Sequence, residues 1–179
     1  MGIAVLTSCS DGETTNETLP PVSSSAAPTS EALKPLGPAD FPVPDEARRN
    51  TPEAATAALK YYLELIPRQS ARDGEPLRDL SNQCSFCDFL ADRADENAAA
   101  GLTYRGGQIA ASELSSPALR GSIAEFVFSA SQSAVEIVGA DGQPVEGRGQ
   151  SAVSGLSAAA AMQWDPLAQA WLMTQLTFE

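Results

Sequence analysis

Two thiols three residues apart, in Cys84-Ser85-Phe86-Cys87, are the most chemically suggestive pattern in this sequence. In an oxidising compartment a pair this close is expected to be bridged. Closing a loop of about four residues contributes only about 2 kcal/mol, enough to pin the start of a helix but not to rescue a fold. At a helix amino terminus the same spacing could hold a reactive thiolate for redox work. A thioredoxin-like site, however, follows a strand in a βαβ unit, whereas Leu77 to Asn82 reads as loop or a short helix. A zinc site would lack half its tetrahedral ligands, because the chain has no histidine and its one other cysteine is the distant Cys9. No metal and no cofactor are expected.

The absence of histidine also removes Ser-His-Asp triads, Cys-His dyads and zincin motifs. A general base would have to be a carboxylate with a raised pKa, and Glu125, Glu136 and Asp165 are the candidates in the strand region. Acids on strands usually face solvent, so no catalytic residue is assigned. Asp88, Asp92, Asp95 and Glu96 read as a solvated helix face rather than a cation site. Tyr104, Phe126, Phe128, Trp164 and Trp171 are candidate pocket-lining aromatics, with ordinary core packing as the competing role. Lys plus Arg number 11 against 23 Asp plus Glu, a net charge of −12. That balance excludes a nucleic-acid partner, whose phosphates are bound mainly by Lys and Arg.

These residues must be positioned by one core, since 179 residues with 43% hydrophobic content suit a single domain. Residues 9–49 are dense in Ser, Thr, Pro and acid and read as a disordered tether spanning about 40 Å. The domain is expected over residues 50–179. Asn50-Thr51-Pro52-Glu53 opens a helix, and Ala55, Leu59, Tyr62, Leu63 and Ile66 form its apolar stripe until Pro67 halts it. Residues 76–80 suit a single helical turn. A second helix is expected from about Cys84 to Ala100, burying Phe86, Phe89, Leu90 and Ala94, with Gly101 just past its end.

From Gly106-Gly107 onward the period shifts to two. A strand from Ile109 stops near Pro117. A second sets Ala124, Phe126, Phe128 and Ala130 on one face and continues through Val135 and Ile137 beyond a bulge. A third covers about Gln150 to Trp164, and a hairpin leads into a last strand in which Leu172, Thr174, Leu176 and Phe178 alternate. Helices followed by an antiparallel sheet of about four strands make an α+β fold.

Leu6-Thr7-Ser8-Cys9 resembles the lipobox of bacterial lipoproteins, in which the cysteine receives acyl chains such as palmitate and becomes the mature first residue. Residues 1–8 then read as the remnant of a signal peptide. No Lys or Arg precedes Cys9 and the apolar stretch is short, so a longer leader is expected upstream. Two or more acyl chains anchor firmly, at about 0.8 kcal/mol per buried methylene.

Further residues carry a second resemblance. Phe41-Pro-Val-Pro-Asp-Glu-Ala-Arg-Arg-Asn-Thr-Pro-Glu, Tyr61-Tyr62, Pro76-Leu77-Arg78-Asp79-Leu80-Ser81, Cys84 with Cys87, and Gly101 followed by Gly106-Gly107 are similar to an uncharacterised family of actinobacterial lipoproteins, a domain of unknown function. The likeness spans about residues 41–179. It implies a lipid-anchored protein on the outer face of the cytoplasmic membrane, built as a nuclear-transport-factor-2-like cone with helices on a curved sheet. It supplies no catalytic residue. The expected role is a noncatalytic interaction or accessory domain with an envelope protein as partner. The alternatives are a small-ligand or lipid-binding module using the cone pocket, and an isomerase- or cyclase-like enzyme with a carboxylate base.

Overall fold

The computed structural model describes residues 34–179. The expectations for Cys9, the signal remnant and the first part of the tether lie outside the described residues. Helix α1 (Pro52–Gln69) begins as the capping residues require: the Thr51 hydroxyl accepts the Ala54 N–H at 3.2 Å, and Pro52 occupies the first turn. Pro67 does not halt it. A proline in the last turn forfeits one backbone bond, and the helix runs two residues further before ending.

A short helix α2 (Glu75–Asp79) leads to α3 (Ser85–Ala99), whose first turn is capped by the Cys84 sulfur accepting the Cys87 N–H at 3.2 Å. The two cysteines form a disulfide and both are buried. The start of α2 approaches α3 closely, and a Cβ on Gly74 would lie 2.3 Å from the Ala91 carbonyl oxygen. Asp95 ties the same junction by accepting the Gly74 N–H at 2.7 Å.

Seven strands follow: β1 (Thr103–Gly106), β2 (Ile109–Ser112), β3 (Ala118–Arg120), β4 (Ile123–Gln132), β5 (Val135–Val138), β6 (Val153–Asp165) and β7 (Ala170–Phe178). The antiparallel main sheet runs β2-β4-β6-β7, and β3 shares with β2 the same edge of β4. It thus has five strands rather than about four. Residues 135–138 do not prolong the second expected strand in that sheet but pair with β1 as a separate ribbon. The α+β architecture, helices packed on antiparallel strands, is as the element order predicts.

Alternation on β4 buries Ala124, Phe126, Phe128 and Ala130. On β7 the expected phase fails in its first half: Trp171 and Met173 point inward, then Leu176. The cause is a bulge, since Met162 pairs with Met173 while Ala161 pairs with Gln175, and Thr174 is the extra residue that flips the pleat. Helix α1 covers this inner face, packing on β2, β6 and β7. The small Ala158 and Ala160 of β6 join one core there with Leu59, Tyr62 and Leu63.

Residues 34–49, assigned by composition to the tether, belong to the folded body. Phe41 stacks on Tyr61 with ring centroids 4.8 Å apart, and the Arg68 guanidinium lies over the Phe41 ring, 4.0 Å from its centroid. Ala47 is fully buried and Arg48 is only 7% exposed. The Arg48 guanidinium donates to the carbonyls of Lys34, Ala168 (2.9 Å) and Gln169 (3.3 Å), pinning this strap to the β6–β7 hairpin. Composition alone hides this, because a few anchors suffice to order an otherwise polar, proline-rich segment.

Candidate functional site

Helix α3 presents Phe86, Phe89, Leu90, Arg93, Ala94 and Asn97 at spacings of three and four, hence along one side. Its fully covered stripe is Cys87, Ala91, Ala94 and Asn97. Phe86 and Phe89, expected in the core, are 36% and 55% exposed. They stand at the border where α3 parts from the sheet and leaves a cleft.

That cleft has a volume of about 460 Å³ and adjoins a second, about 300 Å³, with Ile66, Leu90, Gln132 and Gln150 common to both. Its size falls within the range of about 300–1,000 Å³ typical of small-molecule sites. The end of α1 and α2 supply its apolar side through Ile66, Pro67 and Leu77, and β5 supplies Val135 and Ile137. Tyr104 and the Gly106-Gly107 corner close the opposite side. Gly106 has φ +82°, and a Cβ there would lie 2.0 Å from the Ala134 carbonyl oxygen. The corner can cross the β4–β5 turn this tightly only because it carries no side chain.

Against this apolar lining stand the polar side chains of Ser70, Arg93, Asn97, Tyr104, Gln132, Arg148 and Gln150. Asn97, 4% exposed, donates through Nδ2 to the Ser70 carbonyl and to the Tyr104 hydroxyl, both at 2.9 Å. Tyr104 is thereby held as an acceptor, and among the described residues its own O–H has no acceptor. Arg93 pairs with Glu96 at 2.8 Å across one helical turn. Arg148, on the loop between β5 and β6, has no carboxylate within ion-pair distance among the described residues. No Asp or Glu lines either half of the cleft. A more open hollow of about 510 Å³ beyond Tyr104 and Gly106 carries Glu64 and Arg68.

The five aromatics singled out from the sequence separate. Tyr104 lines the cleft and is half-buried. Phe126 and Phe128 are buried core residues of β4. Trp164 and Trp171 face each other across the β6–β7 ladder, centroids 5.6 Å apart, and the Trp171 indole N–H donates to the Arg49 carbonyl at 2.8 Å. Neither tryptophan lines the cleft.

The three acids considered as bases stand apart from it too. Glu125 pairs with Arg120 at 3.1 Å, Glu136 with Arg105 at 3.4 Å, and Asp165 accepts the N–H groups of Leu167 and Ala168 to fold the hairpin turn. The acidic face of α3 has a structural use: Arg78 reaches Asp92 at 2.7 Å and Asp95 at 2.8 Å. The Gly74 N–H, and after it the Arg78 guanidinium, hold the Asp95 carboxyl below the usual carboxylate value. Among the described residues no three His, Cys, Asp or Glu side chains gather as metal ligands.

Sequence reasoning missed Arg93, Asn97, Gln132, Arg148 and Gln150. Asn97 carried a signal, a lone amide three residues past Ala94 on the helix's inner face. Arg148 carried none, because loop position has no periodicity.

No protein-family model matches the chain, and no curated protein does. Among solved structures it is similar to a chain named as a variant of Rd1NTF2_05, with 14% identity, a TM-score of 0.41, and coverage of 70% of this chain and 96% of that one. No residue role passes between the two at that distance.

Proposed function

We propose that this protein is a lipid-anchored, noncatalytic binding module of the cell envelope that takes a small, largely apolar ligand in the cleft between α3 and the β1–β5 ribbon. One observation carries the reading: a cleft of about 460 Å³ in which apolar side chains meet polar groups brought together from several elements, the combination expected of a binding site. The three strand-region carboxylates considered as bases, Glu125, Glu136 and Asp165, lie elsewhere, tied to arginines or to a turn. This favours the ligand-binding alternative over an isomerase- or cyclase-like one.

Anchoring through an acylated Cys9 is supported by the lipobox-like Leu6-Thr7-Ser8-Cys9 and the Ser/Thr/Pro-rich stretch after it. Among the described residues no helix is long and apolar enough to cross a membrane. Intact-mass analysis of protein extracted from native membranes tests the anchor: acyl mass on Cys9 supports it, and a bare thiol on cytosolic material refutes it.

The cleft is tested with the neutral apolar fluorophore phenylnaphthylamine and the full chain. Binding should brighten and blue-shift its emission, and Leu90→Trp, which fills the seam between the two halves, should abolish the change while the thermal transition persists. An unchanged response in Leu90→Trp, or none in the wild type, refutes ligand binding in this cleft and leaves the interaction-domain role.

A further inference from the structure

The donors and acceptors around the cleft point to a narrower class of ligand. We infer that the cleft receives an apolar molecule bearing a single carboxylate, with the carboxylate held by Arg148 and Arg93 at the rim and by the Tyr104 O–H below them. This rests on the cleft being the binding site proposed above and adds the chemistry of what enters it.

Three observations converge. The chain carries a net charge of −12, yet the charged residues lining this cleft are two arginines and no acid. Such a local reversal of sign matters because charges beyond about 8 Å are largely screened at physiological salt, so the bound group feels the rim more than the rest of the surface. Arg148 is free of carboxylate partners among the described residues, and the single bond from Arg93 to Glu96 leaves most of its guanidinium donors uncommitted. Tyr104 is oriented by a buried amide that occupies its acceptor side, so the hydrogen it has left can only be donated.

The rest of the lining sets the body of the ligand. Ile66, Leu77, Leu90, Val135 and Ile137 supply the apolar wall for a chain, and Ser70, Gln132 and Gln150 complete the lining as uncharged polar groups. A cation would meet the arginines unfavourably. A neutral apolar molecule would fill the space but leave all three donors to water.

The test is calorimetric titration of the full chain with three compounds built on the same straight ten-carbon chain: decanoate, decanol and decyltrimethylammonium. Decanoate should bind about tenfold more tightly than decanol, the ratio one charge-assisted hydrogen bond commonly supplies. Decyltrimethylammonium should bind most weakly. In Arg93→Gln/Arg148→Gln the preference for decanoate should collapse toward unity with decanol affinity unchanged, and Tyr104→Phe should weaken decanoate severalfold.

Equal affinity for decanoate and decanol, stronger binding of the ammonium compound, or a preference surviving in the double variant would each overturn the carboxylate assignment while leaving the apolar cleft in place. Absence of binding by all three would overturn the cleft itself and this inference with it.

Discussion

The β6–β7 hairpin and the cleft beside α3 are built from similar parts, aromatic rings with arginine and amide donors, but one is closed and the other open. At the hairpin every donor in the argument is spent inside the protein: Arg48 on three carbonyls, Trp171 on the Arg49 carbonyl, the turn amides on Asp165. At the cleft Asn97 is spent in the same way, but Tyr104, Arg93 and Arg148 keep donors facing an empty volume. Aromatic content alone does not distinguish a binding site from a structural clasp. What distinguishes them is whether the polar groups lining the region already have protein partners.

The largest effect expected from breaking this contrast is at the clasp. Arg48→Met should lower the unfolding free energy by about 3 kcal/mol in urea titration, since it orphans carbonyls bonded to a charged, buried donor. It should leave phenylnaphthylamine binding intact. A combined loss of stability and binding would show that the two regions are not separate.

Reduction of Cys84–Cys87 should cost about 2 kcal/mol, the chain-entropy value for so short a loop. The measurement is denaturation with and without reductant. A much larger loss would mean that the bridge holds more than the first turn of α3. Asn97→Leu should cost about 1–2 kcal/mol by leaving the Ser70 carbonyl unpaired. Unlike Arg48→Met, it should also weaken decanoate binding, because Tyr104 loses the amide that orients it.

The smallest effects are those of pH. Burial pushes the Tyr61 phenol up to about 12 from 10, and its O–H donates to the Phe41 carbonyl at 2.7 Å. The fold therefore holds the protonated form. Its contribution is complete below pH 10 and is lost as pH rises from 10 through about 12, a limb that Tyr61→Phe should flatten.

Asp95 runs the other way. With its folded pKa below the ordinary 3.8, its contribution is present above that value and disappears as pH falls through the lowered one. Asp95→Asn should flatten the acid limb of the stability curve. Neither change should alter the preference for decanoate over decanol at neutral pH.

Much of the scaffold could be read directly. The Thr51-Pro52 start of α1, the α3 span and the inward set Ala124, Phe126, Phe128 and Ala130 follow from capping and period. The errors have local physical causes: a tolerated proline in a last turn, a bulge at Thr174, and a strap ordered by Arg48 and Tyr61 rather than by its own composition. Of the proposed pocket aromatics only Tyr104 lies at the cleft. The others have the same residue types and similar spacing, and only their neighbours tell them apart.

By itself the amino-acid sequence determined the placing of helices ahead of an antiparallel sheet, the paired cysteines, the lack of imidazole chemistry and the acidic balance. Each of these is a property of residue type or of spacing along one chain. Only the tertiary structure decided that the tryptophans form a clasp, that Glu125 and Glu136 pair with arginines while Asp165 folds a turn, and that Arg93, Asn97, Tyr104 and Arg148 converge on one cleft. Residues more than 40 positions apart meet there through pairings of β1 with β5 and of α3 with the sheet, contacts that no periodicity along the chain encodes.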